Sequence, residues 1–493
     1  MTDLSWLKPF DAAQFRAAGH VLVDLLAEHL AQCSERSPIA VLPSTNPEQQ
    51  LDRWAASFQE PLGEADLPAL WRSIIDASNH LHHPRYIGHQ VTSPLPVAAL
   101  TQLLTALLNN SSAVFEMSPV ATVAERHVIR WMATRLGFGH DADGTLCSGG
   151  SIGNLTGLLA AREIMGRDRG GKRAREAESA GSIPQRGAVL VSSQAHYSIA
   201  RAARIMGLGE LGAIAVPVDD QMRMQVPALK ASLDQARAAG REVFAVVASA
   251  CTTATGSFDP LRPIAELCRE HNLWLHVDGA HAASAVLSDK YRPLVDGIEL
   301  ADSVVWDAHK MMLMPALVTG VIFRQGPHSY EVFSQQASYL FEKAATDEWY
   351  NLAQRSIECT KASLSVPLYV ALRTYGESFF GDYVTRMFDL AHTFASMIRA
   401  SGDFELAVQP QANIVCFRYR GSPAAGSEIE LDALQKKLRM QVLESGEFYL
   451  VQTALPQGTY LRVTLINPRT DERDLQHLLT SLRRASQAPP RAR

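Results

Sequence analysis

Between residues 188 and 323 the chain alternates short apolar runs with amphipathic stretches, and that alternation leaves few architectures open. Ala188–Val191, Ala213–Val218, Val243–Ala250, Leu273–Val277, Ser303–Trp306 and Val318–Phe323 have the length and apolar character of buried strands. Helices are expected from Tyr197, Pro227 and Leu261. Strands separated by helices build a mostly parallel sheet covered on both faces. Ligands of such sheets bind beyond the carboxyl ends of the strands. Two of those ends carry charge: Asp278 follows Leu273–Val277, and Asp307, Ala308, His309 and Lys310 follow Ser303–Trp306.

The 493 residues are enough to bury a large core and to divide into two or three domains. With 47% hydrophobic and 20% charged residues the chain has the composition of a globular protein. Its formal charge of -5 lacks the basic excess that nucleic acid would demand. No apolar run approaches the roughly 18 residues of a membrane span, and MTDLSWLKPFDAAQ has no basic segment followed by an apolar run, as a secretory leader would. The six cysteines form no C-x-x-C pair and are expected to be reduced, which suits a cytoplasmic enzyme with no membrane and no nucleic-acid partner.

Asp11 and Gln14 have capping-box spacing ahead of an amphipathic helix, and residues 1–80 are expected to form a helical arm that must pack on something else. Residues 81–376 are expected to form the large α/β domain and 377–493 a smaller α+β domain. His82 and His83 lack a matching carboxylate and make a poor metal cage, so no metal is expected. In TLCSGGSIGNLTGLLAAR, small residues up to Ser151 precede a helical run, a geometry that offers free backbone N–H groups and a helix dipole to a phosphate. Arg167–Arg186 interleaves acids with bases and no aromatics, as a solvated loop does, and QAPPRAR at the end has the composition of a disordered tail. Gln325–Arg355 loses clean periodicity, as functional lids do.

An acid and a lysine at neighbouring strand ends suit pyridoxal 5'-phosphate. Its aldehyde needs a lysine amine for a Schiff base, and its ring nitrogen needs an acid that keeps it protonated. Lys310 and Asp278 are the candidates, although a lysine or aspartate taken alone is far more often a surface cation or a turn residue. HVDGAHAAS followed by WDAHK resembles the group II pyridoxal-phosphate decarboxylases, which include glutamate, cysteine sulfinate, aromatic-L-amino-acid and diaminobutyrate decarboxylases. The likeness runs from about His82 to Leu479.

That resemblance implies the aspartate aminotransferase fold type I of the PLP-dependent transferases, an α/β fold with a mostly parallel seven-stranded sheet and a smaller C-terminal α+β domain. It implies a carboxy-lyase that removes the α-carboxylate of an L-amino acid to give carbon dioxide and a primary amine. It places the cofactor phosphate at Gly150 and Ser151 with Asn154 nearby, stacks His196 of SSQAHYS on the ring, and brings Thr253 and Ala280 close to it. Asp307 and His309 join the cofactor-binding set, and His309 is a candidate for proton transfer or a phosphate contact. Tyr86 and His89 of HHPRYIGHQ line the substrate end, His89 standing where glutamate and cysteine sulfinate decarboxylases carry glutamine. Arg462 of LRVTLINPRT matches the arginine that grips the substrate carboxylate. Tyr350, with Tyr339 as an alternative, is the candidate loop tyrosine that returns a proton to carbon. The family further implies a homodimer with active sites at the subunit interface, where the N-terminal arm wraps the partner; packing on its own chain is the other possibility. Oxidative aldehyde synthesis, carbon–carbon lysis and amino transfer are the alternative uses of the same site.

Overall fold

The computed structural model describes residues 5–43, 46–57, 61–170, 186–333, 349–421 and 428–487. Most of the charge-rich loop, Tyr339 and the terminal tail lie outside the described residues.

Three helices open the chain, α1 (Ala12–Ser34), α2 (Pro47–Ser57) and α3 (Leu67–Ala77). Asp11 caps α1 by accepting from the amides of Ala13 and Gln14. Two further helices, α4 (Pro96–Leu108) and α5 (Pro119–Arg135), precede the first strand. A seven-stranded sheet follows: β1 (Asp143–Cys147), β2 (Gly187–Ser192), β3 (Ala213–Val216), β4 (Glu242–Ser249), β5 (Trp274–Asp278), β6 (Ser303–Asp307) and β7 (Thr319–Phe323). Its spatial order is β1-β7-β6-β5-β4-β2-β3. The strands share one direction except β7, which runs antiparallel to both β1 and β6. Every residue of β2, β5, β6 and β7 is buried, as expected of strands with helices on both faces. Those helices include α6 (Gly150–Gly170), α7 (Ser198–Ile205), α8 (Val226–Ala238) and α9 (Leu261–Glu270).

The register gathers the charged strand ends on one edge. Asp307 pairs with Thr319, Thr319 with Cys147, and Asp278 with Ser249. The strand β1 is not anticipated from the sequence, because DGTLC is too short and too poor in β-branched residues to stand out. Burial against its neighbours, rather than propensity, makes it a strand.

Helix α10 (Ser365–Ser401) is interrupted at Gly376, whose φ of +75° only glycine adopts at low cost. A four-stranded sheet follows, built from β8 (Phe404–Leu406), β9 (Ile414–Tyr419), β10 (Val451–Leu455) and β11 (Gly458–Thr464) in the order β10-β11-β9-β8. Two helices, α11 (Glu428–Glu444) and α12 (Glu472–Gln487), accompany it.

Two compact units result. The larger comprises Gln90–Ala395 and Val408–Val415, and the smaller Met1–His89, Ser396–Ala407 and Cys416–Arg493. The segment read from sequence as an arm therefore belongs to the same unit as the C-terminal lobe. Within that unit Arg36 holds the buried Asp474 at 2.9 Å and Asp471 at 2.9 Å, and the Val41 amide donates to the Gly446 carbonyl at 2.8 Å. No helix among the described residues is long and apolar enough to cross a membrane.

Candidate active site

In the larger unit a cavity of about 270 Å³ opens at the charged edge of the sheet. It is lined by Gly150, Ser151, Asn154, His196, Thr253, Asp278, Ala280, Asp307, His309 and Lys310, together with Ser148, Gly149, Ser249, Cys251, His281 and Leu317. Residues from six separate stretches of sequence converge there, because the parallel strands all end on the same edge.

Lys310 leaves the turn after β6 and places its Nζ 2.9 Å from the Asp307 Oδ2. The other oxygen of Asp307 accepts from the Thr319 hydroxyl at 2.6 Å, and the His309 Nε2 stands 3.5 Å from Oδ2. Burial opposes the charge on Lys310, but the adjoining Asp307 carboxylate and the more distant Asp278 outweigh it and raise the pKa of the amine. His309 is fixed by its Nδ1, which lies 2.9 Å from the Val318 carbonyl.

Asp278, at the end of β5, is only 8% exposed. Its Oδ2 accepts from the Asn154 amide at 3.0 Å and its Oδ1 from the Ala280 amide at 3.2 Å. His196 follows β2, and its Nδ1 accepts from the Ser198 backbone at 3.3 Å and meets the Ser198 hydroxyl at 2.8 Å. Burial lowers the His196 pKa, with Lys310 and Arg201 acting the same way against Asp278 and Asp307. The neutral ring thus carries its proton on Nε2.

The amino end of α6 supplies the third wall. Gly149 takes φ +106°, and a Cβ on Gly150 would stand 3.2 Å from both Asp307 oxygens and 3.3 Å from the Ala280 Cβ. The Ile152 amide donates to the Gly149 carbonyl at 3.1 Å, whereas the Gly150 and Ser151 amides have no carbonyl within the helix to meet and suit an anion.

Asn154, one turn into α6, lines the cavity near Gly150 and Ser151 as expected of a residue nearby, and its side-chain amide donates to Asp278 and Ser198. Tyr350 is placed elsewhere. It lies outside the cavity lining, 5.8 Å edge-on from Phe115, because the adjoining turn Leu352–Arg355 is held by the buried Arg355 on Asp143 at 3.0 Å.

Tyr86, His89 and Arg462 belong to the smaller unit. There Tyr86 forms an isolated bridge with Tyr449, the Ile87 amide donating to the Tyr449 carbonyl at 3.0 Å and the Thr464 amide to the Ile87 carbonyl at 2.7 Å. The Tyr86 and Tyr449 rings stack at 4.9 Å, and His89 lies 5.6 Å from Tyr449. Gly88 makes room, since a Cβ there would stand 2.5 Å from the Tyr449 ring. Arg462 is 5% exposed, and burial together with Arg462 and Arg439 lowers the His89 pKa. No cluster of three or more histidines, cysteines or carboxylates able to hold a metal occurs among the described residues.

Residues 66–420 match the model of the pyridoxal-dependent decarboxylase conserved domain. The chain belongs to the pyridoxal-dependent decarboxylase family. It is 32% identical to an aspartate 1-decarboxylase of Aliivibrio fischeri, over 83% of this chain and 81% of that protein. It is 31% identical to an L-2,4-diaminobutyrate decarboxylase of Rhizobium meliloti, over 85% of this chain and 80% of the relative. The apo form of mouse CSAD shares the fold, with a TM-score of 0.88, 24% identity and coverage of 97% of this chain and 100% of that one. This decarboxylase is therefore a carboxy-lyase of amino acids that works with pyridoxal phosphate.

The cavity fits that cofactor on its own chemistry. It offers one amine with a counter-ion, one carboxylate on the neighbouring strand, a neutral imidazole, and a helix start of glycine and serine suited to a phosphate. The sequence reading did not assign Ser198, His276, Ser303 or Trp274, which stand behind the cavity. Two signals were available: a histidine within the apolar run of β5, and Gly157, a glycine in mid-helix where alanine is about 1 kcal/mol better.

Proposed function

We propose that this decarboxylase acts on L-amino acids with an acidic side chain, aspartate first among them, releasing carbon dioxide and the primary amine. Bound pyridoxal phosphate supplies the electron sink that makes loss of the α-carboxylate feasible. Lys310 would hold the cofactor through its amine, with Asp307 as the counter-ion beside it. Asp278 holds a proton at the ring nitrogen, and each pKa unit it adds there is worth about 1.4 kcal/mol. Gly150 and Ser151 would hold the phosphate through their amides, and His196, Ala280 and Thr253, which line the same cavity, would hold the ring. His309 supports the same centre next to Lys310. Arg462 grips the substrate α-carboxylate.

The observation that carries this reading is the pairing of Lys310 with Asp307 beside Asp278 in one buried cavity. The acidic preference is supported by the aspartate-decarboxylating relative. Release of carbon dioxide should be compared for L-aspartate, L-glutamate, cysteine sulfinate, 2,4-diaminobutyrate and the aromatic amino acids. Faster turnover of diaminobutyrate or an aromatic substrate overturns the acidic assignment. Aldehyde with ammonia and peroxide, or a requirement for an oxo-acid, overturns simple decarboxylation.

A homodimer is part of the proposal, with residues 1–80 serving as its arm. It is supported by the leucine face of α4, where Leu100, Leu103, Leu104, Leu107 and Leu108 are each more than 40% exposed. Such a contiguous apolar face marks an interaction site on a globular protein. A cytoplasmic location is supported by the six cysteines, all free thiols and all but Cys359 buried.

A further inference from the structure

Behind Asp278 the larger unit holds a chain of polar groups that runs from Trp274, Ser303 and His276, outside the cavity lining, to Asn154, Asp278 and His196, which line it. The Trp274 Nε1 donates to the Ser303 Oγ at 2.9 Å, the Ser303 Oγ meets the His276 Nδ1 at 2.7 Å, and the His276 Nε2 meets the Asn154 Oδ1 at 3.0 Å. Asn154 then donates to Asp278 at 3.0 Å and to the Ser198 hydroxyl at 2.9 Å, and that hydroxyl reaches the His196 Nδ1 at 2.8 Å.

An indole N–H can only donate and a carboxylate can only accept, so both ends of this chain are fixed. Ser303, accepting from Trp274, gives its own proton to the His276 Nδ1. The His276 Nε2 must then carry the hydrogen, which it gives to the Asn154 carbonyl, and the Asn154 amide nitrogen faces Asp278. His276 is fully buried, and burial pushes its pKa down to about 3, so the single-proton state is the one that persists. Gly157 makes the arrangement possible: a Cβ there would lie 2.5 Å from the His276 Cε1 and 2.7 Å from its Nδ1.

We propose that His276 is a positioning residue of the decarboxylase: through Asn154 it orients the Asp278 carboxylate and the His196 ring together, and so sets how firmly the site protonates and retains its cofactor. The inference rests on the assignment of Asp278 to the ring nitrogen.

The test compares His276→Leu, His276→Gln and Asp278→Asn with the wild type, each reconstituted with pyridoxal phosphate. Cofactor dissociation constant, the pH midpoint of the visible absorbance, and kcat and KM separately are the readouts. His276→Leu should weaken retention and lower kcat by roughly five- to a hundredfold, the range of a buried polar group left without its partner, with KM little changed and the midpoint displaced. His276→Gln still offers a donor to Asn154 and should recover most of the loss. Values for a folded His276→Leu within about twofold of the wild type, or a glutamine variant no better than leucine, overturn the proposal. If the leucine variant does not fold, Ser303→Ala releases the His276 tautomer with a smaller change and should move the same readouts; an unmoved midpoint and retention refute the idea. A wild type that never takes up the cofactor refutes the site reading itself. Loss in Asp278→Asn with none in His276→Leu refutes only the positioning role.

Discussion

Lys361 and Glu125 form a buried ion pair in the larger unit, and removing the lysine should be costly. Its side chain is 0% exposed and its ammonium contacts the Glu125 carboxylate, itself 1% exposed, and the Thr145 hydroxyl at 2.8 Å. Glu125 projects from α5, and its Oε1 also accepts from Thr145 at 3.0 Å and from the Leu146 amide at 2.8 Å, both in β1. The Glu125 Oε2 is buried with no hydrogen-bond partner among the described residues. Lys361→Met keeps most of the volume but strands the carboxylate, and breaking a buried pair in this way costs about 3–5 kcal/mol. An unfolding entropy of about 2.1 cal/mol/K per residue over the roughly 300 residues of this unit turns that cost into a melting temperature lower by about 5–8 °C. Differential scanning calorimetry of the variant reads the shift directly. Lys361→Met with Glu125→Gln should regain a large part of it, because no unpaired charge then remains buried. A single variant that melts within about 1 °C of the wild type, or a double variant less stable than the single one, would show that the pair is not a desolvated lock.

Other perturbations follow from the same geometry. Lys310→Ala should leave apo-reconstituted protein without borohydride-fixable cofactor and reduce turnover at least about a thousandfold; retained fixation, read by mass spectrometry, would assign the covalent link elsewhere. His276, held at about 3 against an ordinary 6.5, makes the unfolded chain the better proton binder between those values, so stability should fall as pH drops from about 6.5 towards 3. His276→Gln should flatten that part of the stability profile measured by urea unfolding, and an unchanged slope would contradict the buried neutral imidazole. Leu103→Glu with Leu107→Glu places two charges where side chains are 44% and 63% exposed. Sedimentation velocity should then show a monomer, and a dimer as stable as the wild type would remove α4 from the interface.

Much of the candidate site's lining was legible because strand ends in a parallel sheet are local features. Leu273–Val277 with Asp278, and Ser303–Trp306 with Asp307 and Lys310, announce both the element and the charge at its tip within a few residues. The edge that gathers them is a consequence of parallel order, which the alternation of strands and helices already implies. Strand β1 escaped notice for the opposite reason: its five residues become a strand only through pairing with β7, more than 170 positions away. The direction of Asn154 was likewise illegible. Helix periodicity places it one turn beyond Gly150, but whether its amide turns to a phosphate or to the sheet depends on His276 and Asp278, both more than 120 residues on.

Gly157 shows where a sequence carries more than its periodicity. In isolation it is a weak point of α6, a residue that alanine would improve by about 1 kcal/mol. Against β5 it is the one position in that turn where the His276 ring fits, with any Cβ closer than 3 Å to two ring atoms. The loss in helix propensity is thus offset by a tautomer-locked imidazole behind Asp278. A mid-helix glycine together with a histidine inside an apolar strand is accordingly a signal of close approach that amino-acid order alone displays, and in this decarboxylase it points from α6 to the strand that ends at Asp278.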